Sequence, residues 1–138
     1  MSKEFHTLKG YDILEGKSVT YAMEDYLEMI CRLAGDSGVV RSSELSEKLN
    51  VKPSSVTKMA NNLKNAGLVQ FERYGYIRPT EKGILTGEYL IHRHNVIERL
   101  LCMINGSDDE LEQVEKIEHY LNAETIENIE KFLRGRDS

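Results

Sequence analysis

The sequence predicts a mainly α fold with a small β wing: a winged helix-turn-helix followed by further helices. Three observations carry that expectation. Apolar residues recur at spacings of three and four through most of the chain, the period of helices with one buried face. Two such stretches, about 42–49 and 53–66, are separated only by the turn Asn50-Val51-Lys52. Directly after them, Leu68–Phe71 and Tyr76–Arg78 are short strand candidates around Tyr74-Gly75.

Residues 1–21 read as a polar extension with a short helix around Phe5–Leu14. From Ala22 the pattern turns helical, with Met23, Tyr26, Leu27, Ile30 and Leu33 on one face and Gly35-Asp-Ser-Gly38 as the stop. Val39-Val40-Arg41 is a short extended piece. Ser42 or Ser43 is expected to cap the second helix, with Leu45 and Leu49 inward. Pro53 suits the first position of the third helix, where its missing N–H costs nothing. Val56, Met59, Ala60 and Leu63 form that helix's core face, and Gly67 ends it. Pro79 is expected to break the second strand, and Thr80 to cap a long helix from Glu81 to about Ile104. Asn105-Gly106 is a turn. Ser107 with Glu110 is a capping-box pattern that opens a fifth helix through Leu121, with Leu111, Val114, Ile117 and Leu121 inside. Asn122 is expected to cap a last helix carrying Ile126, Ile129 and Leu133. The chain thus divides into an extension (1–21), a winged-helix domain (22–83) and a helical domain (84–138).

With 138 residues, 40% of them hydrophobic, the chain supports one domain or one with a small appendage. It has no apolar run of about 18 residues. Its start, Met1-Ser-Lys-Glu-Phe-His, lacks the layout of a secretion signal. A cytoplasmic location without a membrane partner is the expectation. Cys31 and Cys102 lie in apolar helical patterns with no CxxC, as buried free thiols do. The net charge of −5 is segregated: −3 over residues 1–38, +4 over 39–83 and −6 over 84–138. A basic middle between acidic ends fits a nucleic-acid reader joined to a cation-binding or dimerising module.

A reading helix needs one buried face and one face free to enter the major groove. In the third helix the core face leaves Ser54, Ser55, Thr57, Lys58, Asn61 and Lys64 free. Short hydroxyls reach base edges and phosphates, and lysines supply the phosphate attraction that dominates affinity. Arg73, Tyr74 and Arg78 fall in the wing, where backbone contact is expected. The competing reading is a three-helix core with a polar exposed helix, or a module that binds only protein.

Three clusters offer metal ligands. Asp25 and Glu28 are three apart on the first helix, hence on one face. Glu115, Glu118 and His119 share a face of the fifth helix, and His94 sits mid-way along the fourth. Acidic pairs at that spacing are usually solvated helix faces, His94 alone reads equally as a surface histidine, and His94 with Glu98 is a competing pair within one helix. Converged, the four carboxylates carry −4, which two divalent cations neutralise, so assembly depends on metal. Oxygen and imidazole donors without thiolate favour manganese or another borderline-to-hard ion over copper(I). Tyr89, Ile91, Ile97, Leu101 and Phe132 exceed what one face of each helix needs and are candidates for a twofold dimer surface.

The segments Ala22-Met-Glu-Asp-Tyr-Leu-Glu28, Lys52-Pro-Ser-Ser-Val-Thr-Lys-Met59, Arg93-His94 and Ile117-Glu-His119 resemble the diphtheria-toxin-repressor family, and within it the manganese-responsive branch. The resemblance spans about residues 22–135. It implies a winged-helix DNA-binding domain followed by a helical dimerisation and metal-binding domain. It implies a two-metal site on Asp25, Glu28, His94, Glu115, Glu118 and His119, with Mn(II) the expected signal and Fe(II) or Zn(II) as other ions. It places the recognition helix on Pro53–Asn65. The iron-responsive branch has methionine and cysteine at the positions of Asp25 and Glu115; this chain has carboxylates. The extension of about 20 residues departs from the pattern, and the SH3-like third domain of longer members is expected to be absent. The function implied is a homodimeric, metal-dependent repressor of metal-homeostasis genes on a palindromic operator. The alternatives are a winged-helix regulator that ignores metal and, more remotely, a two-metal hydrolase, for which the sequence offers no separate nucleophile and no phosphate-cradling loop. No enzymatic activity is expected.

Overall fold

A computed structural model describes Gly10, Tyr11, Ile13 and residues 19–137. The extension, with the helix expected around Phe5–Leu14, therefore lies largely outside the described residues. Helix α1 spans Tyr21–Ala34 and is capped by Thr20, whose hydroxyl accepts the Met23 N–H at 3.1 Å. Met23, Leu27 and Ile30 are buried as their spacing predicts, whereas Tyr26 and Leu33 are half-buried. The extended piece is a true strand: β1, Val40–Arg41, pairs with a wing strand, placing Val40 opposite Ile77. Helix α2 is Ser42–Leu49. Neither expected serine caps it, because Ser42 is already helical. The cap position is Arg41, whose backbone N–H is held by the Glu44 carboxylate at 3.3 Å.

Helix α3, Pro53–Asn65, starts on its proline and buries Val56, Ala60 and Leu63, with Met59 half-buried. Gly67, at φ 78°, lets the chain leave the helix in a conformation that a Cβ would strain. Strands β2 (Val69–Phe71) and β3 (Tyr76–Pro79) complete an antiparallel sheet in the order β1-β3-β2. Pro79 ends β3 from within rather than breaking it. It stands opposite Val69, one residue before the Thr80 N–H that bonds the Leu68 carbonyl at 3.0 Å. Its nitrogen therefore faces away from β2, on the side where β1 has already ended, and no ladder bond is lost.

Helix α4 spans Glu81–Asn105. The Thr80 hydroxyl accepts the Gly83 N–H at 3.1 Å and donates to the Gly67 carbonyl at 2.8 Å, tying this helix to the end of α3. Small residues let α4 pack closely: a Cβ at Gly83 would strike the Leu68 carbonyl, and one at Gly87 the Cys31 sulfur. Cys31 and Cys102 are free and half-buried rather than fully buried. Burial first, then the Glu88 and Glu28 carboxylates, push the Cys31 thiol up to about 12. It stays protonated at neutral pH and serves as packing.

The chain divides after Tyr89, inside α4, into two compact units. The second has its own core of Val96, Ile97, Val114, Ile126 and Leu133. Its further helices are α5, Leu111–Ile117, and α6, Ala123–Asp137. Asn122 caps α6 as expected, its Oδ1 accepting the Thr125 N–H at 2.9 Å. Helix α5 is shorter than its pattern at both ends. Ser107 and Glu110 meet side chain to side chain, the hydroxyl donating to the carboxylate at 2.6 Å, and Glu110 itself takes the cap position. Donation from Ser107, chiefly, holds the Glu110 carboxyl below its ordinary range. With the hydroxyl committed there, no capping box forms. Of the apolar residues expected at a dimer surface, Tyr89 and Ile97 are core residues, Ile91 and Leu101 are half-buried and Phe132 is exposed. Among the described residues no helix is long and apolar enough to cross a membrane.

Candidate metal centre and nucleic-acid interface

Helix α3 and the wing carry the expected DNA-facing residues. Ser54, Ser55, Thr57, Lys58, Asn61 and Lys64 are all exposed on α3, opposite the buried stripe of Val56, Ala60 and Leu63. The Thr57 hydroxyl donates to the Pro53 carbonyl at 3.2 Å, so toward a ligand it is an acceptor. In the wing, Arg73 and Tyr74 lie in the tight turn Arg73–Gly75, and Tyr74 takes a left-handed conformation at φ 68°. A Cβ on Gly75 would come within 2.5 Å of the Ser42 hydroxyl, so the turn closes against the start of α2. Arg41 stacks over the Tyr76 ring at 5.2 Å. Arg78 is exposed but already engaged, its Nε 3.0 Å from Glu72. The wing thus holds one of its two expected arginines in an internal ion pair.

The expected metal ligands fall into two groups. On α1, Asp25 is exposed and Glu28 is half-buried, with Arg32 donating to the Glu28 carboxylate at 3.0–3.1 Å. In the second unit, His94 from α4 and Glu118 and His119 from the end of α5 come together. The Glu118 side chain is only 3% exposed. His94 Nδ1 lies 2.9 Å from Glu118 Oε2, and His119 Nε2 lies 3.9 Å from Glu118 Oε1. Glu118 and His119 sit just past the helical hydrogen bonding of α5, although the Glu118 N–H still bonds the Val114 carbonyl at 3.0 Å. The expected single helical face therefore holds as far as Glu118. Glu115, one turn earlier, is exposed and does not join Glu118 and His119 in burial. The competing pair forms as well: His94 Nε2 lies 3.2 Å from Glu98 Oε2.

An ionised carboxylate this deep costs several kcal/mol unless it is paired. One Glu118 oxygen is hydrogen-bonded to His94 and the other lies 3.9 Å from His119 Nε2, and each imidazole can also be a metal ligand. A buried carboxylate between two imidazoles, with no thiolate, is a donor set that fits a divalent cation of intermediate hardness.

Sequence reasoning passed over Arg93. It is 4% exposed, and its guanidinium lies 3.4 Å from His119 Nδ1. The signal was present: Arg93 stands three after Leu90 and four before Ile97, both buried, so helical spacing turns it inward. Glu24, also buried, was hidden in the same way beside Met23 and Leu27.

Comparison with known proteins matches this division. Residues 18–77 fit the iron dependent repressor N-terminal DNA binding domain, and residues 80–137 the iron dependent repressor metal binding and dimerisation domain. The chain is 39% identical over 111 residues to the HTH-type transcriptional regulator MntR of Lysinibacillus sphaericus (strain C3-41), covering 80% of each protein. The chain belongs to the iron-dependent repressor family. Members with solved structures include IdeR of T. acidophilum, at 30% identity and a TM-score of 0.66 over 84% of this chain, and the manganese regulator SloR, at 26% identity and 0.69 over 81%. This chain spans about half the length of those two, 55% and 53%. Like its family, it is a metal-dependent transcriptional regulator with a DNA-binding domain and a metal-binding and dimerisation domain.

Proposed function

We propose that this regulator is a cytoplasmic homodimeric repressor that binds a palindromic operator when loaded with Mn(II). The observation that carries the metal reading is Glu118, a carboxylate 3% exposed with an imidazole on each oxygen. Asp25, Glu28, His94, Glu115, Glu118 and His119 are the proposed ligands, and two ions per subunit match their four negative charges. The donor set supports Mn(II) over softer ions, with Fe(II) and Zn(II) as competitors for the same residues. The name of one relative, the manganese regulator SloR, supports the same choice.

The proposed set draws on α1 of the DNA-binding domain and on His94, Glu118 and His119 of the metal-binding domain. A bound cation would supply the positive charge that lets these carboxylates converge. Arg32 pairs with Glu28, and His94 with Glu118. With an ion held by these residues the reading heads would be restricted, and without it the chain would bear an ordering cost before binding DNA. Ser54, Ser55, Thr57, Lys58, Asn61 and Lys64 are the proposed groove and phosphate contacts, with Arg73 and Arg78 from the wing. Domain bounds of 22–83 and 84–138 follow from the same reading.

Glu118→Gln keeps the side chain's shape and removes its charge. With Mn(II) present, this variant should bind operator no better than the wild type does in chelator, while circular dichroism reports an unchanged helix content. A Glu118→Gln variant that answers Mn(II) as the wild type does would remove Glu118 from the sensing site.

A further inference from the structure

The contact between Arg93 and His119 constrains how metal enters the site. A guanidinium has donors and no acceptor, so the nitrogen it meets must offer a lone pair. That nitrogen is His119 Nδ1, at 3.4 Å. A neutral imidazole with its lone pair on Nδ1 carries its proton on Nε2. The Nε2 edge is the one that faces the Glu118 carboxylate, 3.9 Å from Oε1, where a proton suits it.

Metal ligation by His119 conflicts with this contact whichever nitrogen is used. Ligation through Nδ1 needs the lone pair that Arg93 occupies. Ligation through Nε2 moves the proton to Nδ1, where it points at a second donor. Arg93 is 4% exposed and the His119 side chain 8%, so water does not readily replace the lost bond. We propose that Arg93 is an internal counter-cation: it occupies the Nδ1 lone pair of His119 and must be displaced for a divalent ion to bind there. The proposal rests on His119 being a metal ligand. Arg93 is then a positioning residue that raises the metal concentration at which the regulator responds.

The test uses the full chain and Mn(II) alone, with affinity read by competition against a chelating dye. Arg93→Met, which keeps length without charge or donor, should bind Mn(II) at least fivefold more tightly than wild type and melt at a lower temperature without metal. Unchanged or weaker Mn(II) binding by Arg93→Met overturns the proposal. His119→Ala separates the two readings: if it binds Mn(II) as wild type does, His119 is not a ligand and both fall. If it loses Mn(II) while Arg93→Met gains nothing, only the role of Arg93 falls. Nitrogen-resolved NMR of the wild type does not depend on the variant folding. The His119 ring proton should sit on Nε2 without metal, and saturation with diamagnetic Zn(II) should either shift the Nδ1 resonance by coordination or move the proton to Nδ1. A proton on Nδ1 in the metal-free chain overturns the proposal.

Discussion

Lys58 and Thr57 are neighbours on α3, both exposed, and chemistry gives them different work. A lysine attracts phosphate whatever the base sequence, and its loss flattens the salt dependence of binding by about one unit of slope. Thr57 has its hydroxyl proton on the Pro53 carbonyl, so what it offers a base edge is a lone pair. In the major groove that selects the amino groups of adenine or cytosine. Lys58→Ala should therefore weaken specific and random DNA alike, whereas Thr57→Val should change the ranking of sites and leave the salt slope alone. Binding titrations on operator and scrambled duplexes at several salt concentrations separate the two. If neither substitution alters binding, α3 is not the reading helix. At this scale the exposed residues of α3 were legible, because a three-and-four apolar stripe identifies the remaining face by subtraction. The partners of charged side chains were not. Arg78 looked like a free wing cation and is paired with Glu72 across the wing. Arg93 looked like part of a motif and lies buried against His119.

Elements followed their pattern wherever a single backbone rule decides them. Pro53 starts α3, Thr80 caps α4 and Asn122 caps α6, since each places one group at a helix end that needs it. Predictions failed where two local solutions compete. The Ser107 hydroxyl could cap a backbone N–H or donate to Glu110, and the charge-assisted bond at 2.6 Å wins. Strand β1 was legible only as the extended piece Val39-Val40-Arg41, because two residues carry no period; its pairing with β3 defines it as a strand. At the joint between the wing and α4 the two backbones approach closely. Gly83 has no room for a side chain because the Leu68 carbonyl lies where its Cβ would be. Gly83→Ala should destabilise the protein by about 1–3 kcal/mol, the usual cost of overpacking, despite alanine's better helix propensity. Urea unfolding checks this, and a change within about 0.5 kcal/mol would mean that α4 moves aside without cost.

In the whole molecule, charge is organised by function. The +4 of residues 39–83 contains α3 and the wing, and the −6 of residues 84–138 contains α5 and α6. That segregation was legible from counting, as was the order of winged helix before helical domain, which the family match over residues 18–77 and 80–137 confirms. The gathering of His94, Glu118 and His119 was legible only as two separate clusters, because spacing along one helix says nothing about its neighbours. Of the five residues expected at the surface that joins two copies, Tyr89 and Ile97 instead close their own units' cores. The central claim is that metal controls DNA binding through these residues. The most direct test is operator affinity of the wild-type chain at fixed salt, measured in chelator and again at saturating Mn(II). The account predicts at least tenfold tighter binding with Mn(II), about 1.4 kcal/mol or more; equal affinity in the two conditions would contradict it.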